Sequence, residues 1–113
     1  NVISHMELIG EVQGKNVIIV DDMVDTAGTL TKAADLMVER GAKSVRAICT
    51  HALLSGNAYE NIEKSKLKEL IVTDSIVQEK KSDKVTVLTC SKLFADVMHN
   101  VNNNKSINSF FIK

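Results

Sequence analysis

Asp21, Asp22, Asp25, Thr26, Gly28 and Thr29 lie close together in one short stretch, NVIIVDDMVDTAGT, from Asn16 to Thr29. An ionised carboxylate only accepts hydrogen bonds, so two of them side by side suit vicinal hydroxyls, or a cation bridging to such hydroxyls. Threonine hydroxyls and the backbone N–H groups at the start of a helix are donors and suit a phosphate. A glycine among them has no side chain to hold that phosphate away. The carboxylates would repel a phosphate, so the two ends of the stretch must face two parts of one ligand. Asp21 and Asp22 would meet hydroxyls, while Thr26, Ala27, Gly28 and Thr29 would meet the phosphate. A sugar phosphate is the simplest molecule that satisfies both.

The elements around this stretch have to place it at one end of a sheet. Val17 to Val20 is an unbroken β-branched run, which predicts a strand from Asn16 to Asp21 covered on both faces, as in a parallel sheet. Ligands of such sheets bind beyond the carboxyl ends of the strands, which is where the aspartates fall. Leu30, Ala33, Ala34, Met37 and Val38 recur at helical spacing, predicting a helix over 29–40 with Gly41 as its terminator and Thr26 or Thr29 as its cap. Ser44 to Thr50 is the next strand, with Val45, Ala47 and Cys49 on one face. Strand, helix and strand with short connections imply a right-handed parallel crossover. Thr50 to Gly56, THALLSG, then emerges at the same end as the aspartates. His51 and Ser55 are thereby brought towards the same cleft, where a structural hydrogen bond is the expected role for each.

Further along, 57–68 is expected to be helical, Leu70 to Thr73 a strand, and Asp74 a turn or cap residue. Gln78 to Lys84 has the composition of a solvated loop. Val85 to Thr89 is a further strand, and Ser91 is the expected cap of a last helix. Two extended segments joined by a turn are expected before Asn16. Phe110 and Phe111 are concentrated in the tail, which calls for something to cover them.

The 113 residues suit one domain or a piece of one, with 44% hydrophobic and 25% charged residues as in ordinary soluble proteins. Lys plus Arg and Asp plus Glu number 14 each, so no basic excess argues for nucleic acid or an anionic membrane. No apolar run approaches the roughly 18 residues of a membrane span, and no signal-peptide pattern is seen. Cys49 and Cys90 sit in strand-like runs and are expected to be free thiols of a cytoplasmic protein.

VIIVDDMVDTAGT resembles the phosphoribosyl-pyrophosphate motif of type I phosphoribosyltransferase folds, and DDMVDTAGT resembles the form found in ribose-phosphate pyrophosphokinases. NVISHMELIGEVQG (1–14), RGAK (40–43), THALLSGNAYEN (50–61), ELIVTDS (69–75), LFADV (93–97) and KSI (105–107) resemble that family in the same order. The fold class implied is α/β, a mostly parallel sheet flanked by helices, type I phosphoribosyltransferase-like, as an incomplete domain. The resemblance implies the C-terminal portion of the family's chain, with a tail at about 102–113 that forms an interface and regulatory segment. The implied activity transfers the diphosphate of ATP to ribose 5-phosphate, with Mg²⁺, giving phosphoribosyl pyrophosphate and AMP in a homo-oligomer. Asp21, Asp22, Asp25, Thr26, Ala27, Gly28 and Thr29 would bind ribose 5-phosphate. Ser106, with Asn108 where a second serine is usual, would belong to an allosteric site. The family's catalytic Lys and Arg and its nucleotide site have no counterpart here, so this chain alone is expected to hold no catalytic residue.

Other readings were set against this one. A phosphoribosyltransferase that consumes phosphoribosyl pyrophosphate shares the motif but needs a base-binding segment that is not recognisable. A synthetase-associated regulatory subunit would keep the fold without the chemistry. A signalling receiver domain would use the aspartates but has no purpose for TAGT, and a solvated helix-capping loop would need no ligand.

Overall fold

The structure, a computed structural model, describes residues 5–112. Four strands, β1 (Asn16–Val24), β2 (Ser44–Ala52), β3 (Glu69–Thr73) and β4 (Val85–Leu88), form one parallel sheet in the order of the chain. Helices α1 (Gly28–Glu39) and α2 (Ala58–Lys64) connect the first three strands, and α3 (Ser91–Asn102) follows β4, with a short 3-10 turn at Asn108–Phe110. This is the α/β architecture expected from the alternation of apolar runs and helical spacings. Residues 5–15 form no strand; a turn closed by Lys15 N–H on the Val12 carbonyl leads into β1. The remainder of the first predicted extended segment lies outside the described residues.

α1 and α2 lie against each other, on the face of the sheet where the core sits. Val45, Ala47 and Cys49 of β2 and Leu70 and Val72 of β3 are fully buried there, as alternation along a strand requires. They pack with Leu30 and Ala34 of α1, Ala58 and Ile62 of α2, and Leu67. Burying each large side chain of this set contributes about 1.5–3 kcal/mol.

The other face is open, contrary to the expectation that Val17–Val20 is covered on both sides. Val17 and Ile19 are half-buried, whereas Ile18 is 60% and Val20 77% exposed. β1 is the sheet's edge, and Ile18 and Val20 share their face with Arg46 and Ile48 across the register. An Arg46–Glu69 ion pair at 3.5 Å and a bond from the Thr86 hydroxyl to Glu69 at 2.7 Å cross this face. α3 has no buried residue, and Phe94, Met98 and Val101 of its apolar side are exposed, as is Phe111. The cover expected for the aromatic tail is supplied in part for Phe110, which is half-buried, while the described residues leave Phe111 exposed.

Local chemistry sets the ends of the helices. Gly41 ends α1 as predicted: its φ of 93° is in the region that favours glycine, its N–H bonds the Val38 carbonyl, and Ala42 N–H bonds that of Met37. α2 is shorter than its predicted span. Lys84, assigned to a solvated loop by composition, donates instead to the carbonyls of Ile62, Glu63 and Ser65 at the end of α2. Ser91 is the first residue of α3 rather than its cap. The start of that helix is tied to the end of β3 by Asp74, which accepts from the Cys90 N–H at 2.8 Å and fulfils the turn role predicted for it.

Gly41→Ala should destabilise the chain by about 1 kcal/mol or more in urea unfolding. The added methyl meets both a positive φ and Gln13 Cγ at 3.1 Å. Hydrogen bonds from the Thr89 hydroxyl and then the Cys90 N–H hold the Asp74 carboxyl below its ordinary value of 3.8. Its folded pKa is depressed, so the β3–α3 link is fully present above that value and weakens as pH falls through the lower, folded one. An NMR pH titration of the Cys90 amide should show its inflection below 3.8, and Asp74→Asn should remove it.

Candidate functional site

β1 does not end at Asp21. It continues through Asp22 and Met23 to Val24, with Asp21 opposite Cys49, Met23 opposite His51 and Val24 opposite Ala52 on β2. Alternation breaks at this end of the strands: Val24 and Ala52 are buried although Val20 and Ile48, at the same parity, are exposed, and the register passes from Asp21 to Met23. Asp21 lines a cleft of about 300 Å³ with Met23, Val24, Asp25, Thr26, Ala27, Gly28, Thr29 and Leu30. Asp22 does not line it. The structure thus gathers six of the seven predicted residues around one space and leaves Asp22 out of its lining.

The loop from Asp25 to Ala27 is held by the segment after β2. The Val24 carbonyl accepts from the N–H groups of Leu53 (2.9 Å) and Leu54 (3.3 Å). The Asp25 carbonyl accepts from Ser55 N–H at 3.1 Å, and its side-chain Oδ1 accepts from the Ser55 hydroxyl. The Thr26 carbonyl accepts from Asn61 Nδ2 at 2.9 Å. Ser55 therefore has the structural role foreseen for it, and Asp25 fixes the loop. His51 is likewise structural, its Nδ1 lying 2.9 Å from the Ser75 hydroxyl.

Neither Thr26 nor Thr29 caps α1. The capping position is Ala27, with φ 64° and ψ 11° and no side-chain hydrogen bond. A left-handed conformation at a residue with a Cβ costs about 1–2 kcal/mol, so the neighbouring bonds must impose it. Thr31 closes the turn from inside the helix: its N–H (2.9 Å) and its buried hydroxyl (2.7 Å) both donate to the Ala27 carbonyl. The amides of Gly28, Thr29 and Leu30 precede that first helical bond and face the start of the helix, where the partial positive charge of its dipole lies. Gly28 has an ordinary φ, and a Cβ built on it would meet only Thr26 Oγ1, at 3.8 Å. The fold itself has room for a methyl there.

Among the described residues no lysine or arginine lines the cleft. Among the described residues no group of three or more His, Cys, Asp and Glu side chains is arranged to hold a metal ion. With Asp22 outside the lining of the cleft and Asp25 engaged by Ser55, these residues do not by themselves form a cage for Mg²⁺. Beneath the aspartates, burial chiefly pushes the Cys49 thiol up, with the charges of Asp21 and Asp22 adding to the shift. Cys49 is a buried free thiol and Cys90 a half-buried one. In the tail, the Ser106 hydroxyl accepts from Asn108 N–H at 3.2 Å, and the Ser106 carbonyl from Asn100 Nδ2 at 2.9 Å. No helix among the described residues is long and apolar enough to cross a membrane.

Fold and site together define a parallel α/β protein with its cleft at the carboxyl end of the first strand and at the start of the first helix. A family model described as the phosphoribosyl synthetase-associated domain matches residues 2–112. The ribose-phosphate pyrophosphokinase of Wolinella succinogenes is 51% identical over 112 residues, covering 99% of this chain and 36% of its own length. That of Campylobacter jejuni is 51% identical over 107 residues, covering 95% and 35%. The crystal structure of phosphoribosylpyrophosphate synthetase from Mycobacterium smegmatis superposes with a TM-score of 0.80 at 38% identity, over 85% of this chain and 33% of that one. The chain belongs to the phosphoribosyl synthetase-associated domain family and is homologous to the ribose-phosphate pyrophosphokinases. It spans about a third of the length of these relatives. That share gives the size of the matched piece and does not support the expected position at the C-terminal end of the family's chain.

Thr31→Val keeps the volume of the buried side chain and removes the hydroxyl that tightens the Ala27 turn. It should lower stability by about 1 kcal/mol in urea unfolding and raise the exchange rate of the Thr31 amide.

Proposed function

We propose that this chain is the ribose 5-phosphate-binding portion of a ribose-phosphate pyrophosphokinase. That enzyme transfers the diphosphate of ATP to ribose 5-phosphate and releases phosphoribosyl pyrophosphate and AMP. The observation that carries the reading is Gly28, a glycine that neither φ nor packing demands, at the first position of α1 and on the wall of the cleft. A ligand that must come close to the backbone there gives the missing side chain a reason. The 5-phosphate meets the amides of Ala27, Gly28 and Thr29 and the hydroxyls of Thr26 and Thr29. The ribose hydroxyls lie towards Asp21, and Asp25 holds the loop. Asp22, beside Asp21 on β1, is not among the residues that line the cleft.

Catalysis of phosphoryl transfer depends on positioning and on cations that neutralise the transferred group. This cleft offers carboxylates and neutral donors. It can hold the acceptor sugar, while the cations and the nucleotide site come from the part of the enzyme that this third of the family's length does not include. Mg²⁺ arrives in this reading with the phosphates of the nucleotide. The buried Cys49 thiol fits a reducing, cytoplasmic compartment. The tail from about residue 102, with Ser106, Asn108 and the exposed Phe111, serves as a contact between subunits of a homo-oligomer and as part of a regulatory site. A non-catalytic subunit associated with a synthetase is the second reading, favoured by the description of the matching family and by the cation-free cleft.

Gly28→Ala separates ligand from fold. Its unfolding midpoint should stay at or slightly above that of the unaltered chain, because alanine favours the helix by up to about 1 kcal/mol. Its affinity for ribose 5-phosphate in calorimetry should fall at least about tenfold, a loss of about 1.4 kcal/mol. Equal affinities would remove the cradle from the reading. A coupled assay on the chain with ATP and ribose 5-phosphate should give no AMP above the uncatalysed rate; turnover of about 1 per second or faster would overturn the assignment of the cations elsewhere.

A further inference from the structure

We infer that Asn61, on α2, is a positioning residue for the phosphate cradle, a role that rests on the sugar-phosphate reading above. Three successive carbonyls, of Val24, Asp25 and Thr26, are each held by a donor from the segment 53–61. A peptide unit is planar and trans, so its N–H points away from its C=O. Fixing those three oxygens towards the β2–α2 segment therefore turns the amides of Asp25, Thr26 and Ala27 the other way, and all three residues line the cleft.

The three anchors differ in kind. Those on Val24 and Asp25 come from backbone N–H groups of the connecting loop, which any residue there other than proline would supply. The anchor on Thr26 is a side chain, Asn61 Nδ2 at 2.9 Å, reaching across 35 residues of sequence. It acts on the peptide that enters the left-handed Ala27, the unit whose orientation decides where the Ala27 amide points. No side chain caps α1, so the loop's own hydroxyls do not share the task. Asn61 sits in α2, a helix anchored in the core through the fully buried Ala58 and Ile62. The Thr26 peptide is thereby referenced to the core through one amide group. Its ligand is a phosphate monoester, and the Asn61 side chain never touches it.

Asn61→Ala keeps α2 intact, since alanine is the best helix former. Asn61→Asp keeps the shape of the side chain but replaces the donor by an acceptor aimed at a carbonyl. The full chain, labelled with ¹⁵N and ¹³C, is titrated with ribose 5-phosphate and separately with inorganic phosphate. In the unaltered chain, saturable shifts at Ala27, Gly28 and Thr29 are expected. Both variants should bind about five- to tenfold more weakly, the effect of one hydrogen bond, with Asn61→Asp the weaker. Before ligand is added, both should show a changed Thr26 carbonyl ¹³C shift and Ala27 amide shift while the core methyl shifts stay in place. An unaltered chain that binds neither ligand overturns the sugar-phosphate reading itself. Binding by the unaltered chain with unchanged affinity in both variants overturns only the role of Asn61. Weakened binding with an unmoved Thr26 carbonyl also overturns it, because the loss would then not pass through that peptide.

Discussion

Holding three successive carbonyls from one side is the constraint on which the cleft depends. Without it, the turn between β1 and α1 would have to find its own partners, and Ala27 would have little reason to stay left-handed at a cost of about 1–2 kcal/mol. The partners come from the segment after β2, which the β1–β2 register places alongside, with Val24 opposite Ala52. The geometry of the amides is thus inherited from sheet pairing. Asn61 extends that inheritance to α2 and through Ile62 to the core.

The charge pattern of the cleft follows a similar economy. Acceptors, Asp21 and Asp25, lie on the strand side and donors lie on the helix side, and one of the acceptors is already satisfied by Ser55. None of the described residues that line the cleft is cationic. A phosphate monoester can be held by amides and hydroxyls alone, since its charge is met by the helix start. A diphosphate in transfer cannot be neutralised that way. If the cleft holds the acceptor sugar as proposed, sugar binding and phosphoryl transfer call on different kinds of donor.

Much of this was legible in the sequence because it is local. The apolar run at Val17–Val20, the helical recurrence from Leu30 to Val38 and the stop at Gly41 depend on neighbours in the chain, and their order dictated a parallel sheet. Alternation put Val45 and Cys49 on one face of β2, and that face is the buried one. What was not legible depends on partners far along the chain. An unbroken β-branched run carries no mark of which face is covered, so Ile18 and Val20 read as core although their face is open. Asp22 read as a second wall of the cleft beside Asp21, because sequence adjacency does not say which of two neighbours on a strand lines it. Thr26 and Thr29 have the side chains of capping residues, yet tertiary bonds took over that task. Asn61 is one polar residue on a polar helix, and only its distance to Thr26 distinguishes it. The charge run that contains Lys84 concealed a helix-end partner for the same reason.

The open side of the sheet has a thermodynamic consequence. Unfolding a chain exposes apolar surface in proportion to what the fold had hidden, and that area sets both the denaturant dependence and the heat-capacity change. Here Ile18, Val20, Phe94, Met98 and Val101 face solvent before unfolding begins. The chain by itself therefore has a shallow urea slope and a flat stability curve for its length. Both would steepen if a covering layer were added, even if no bond inside the present core were altered.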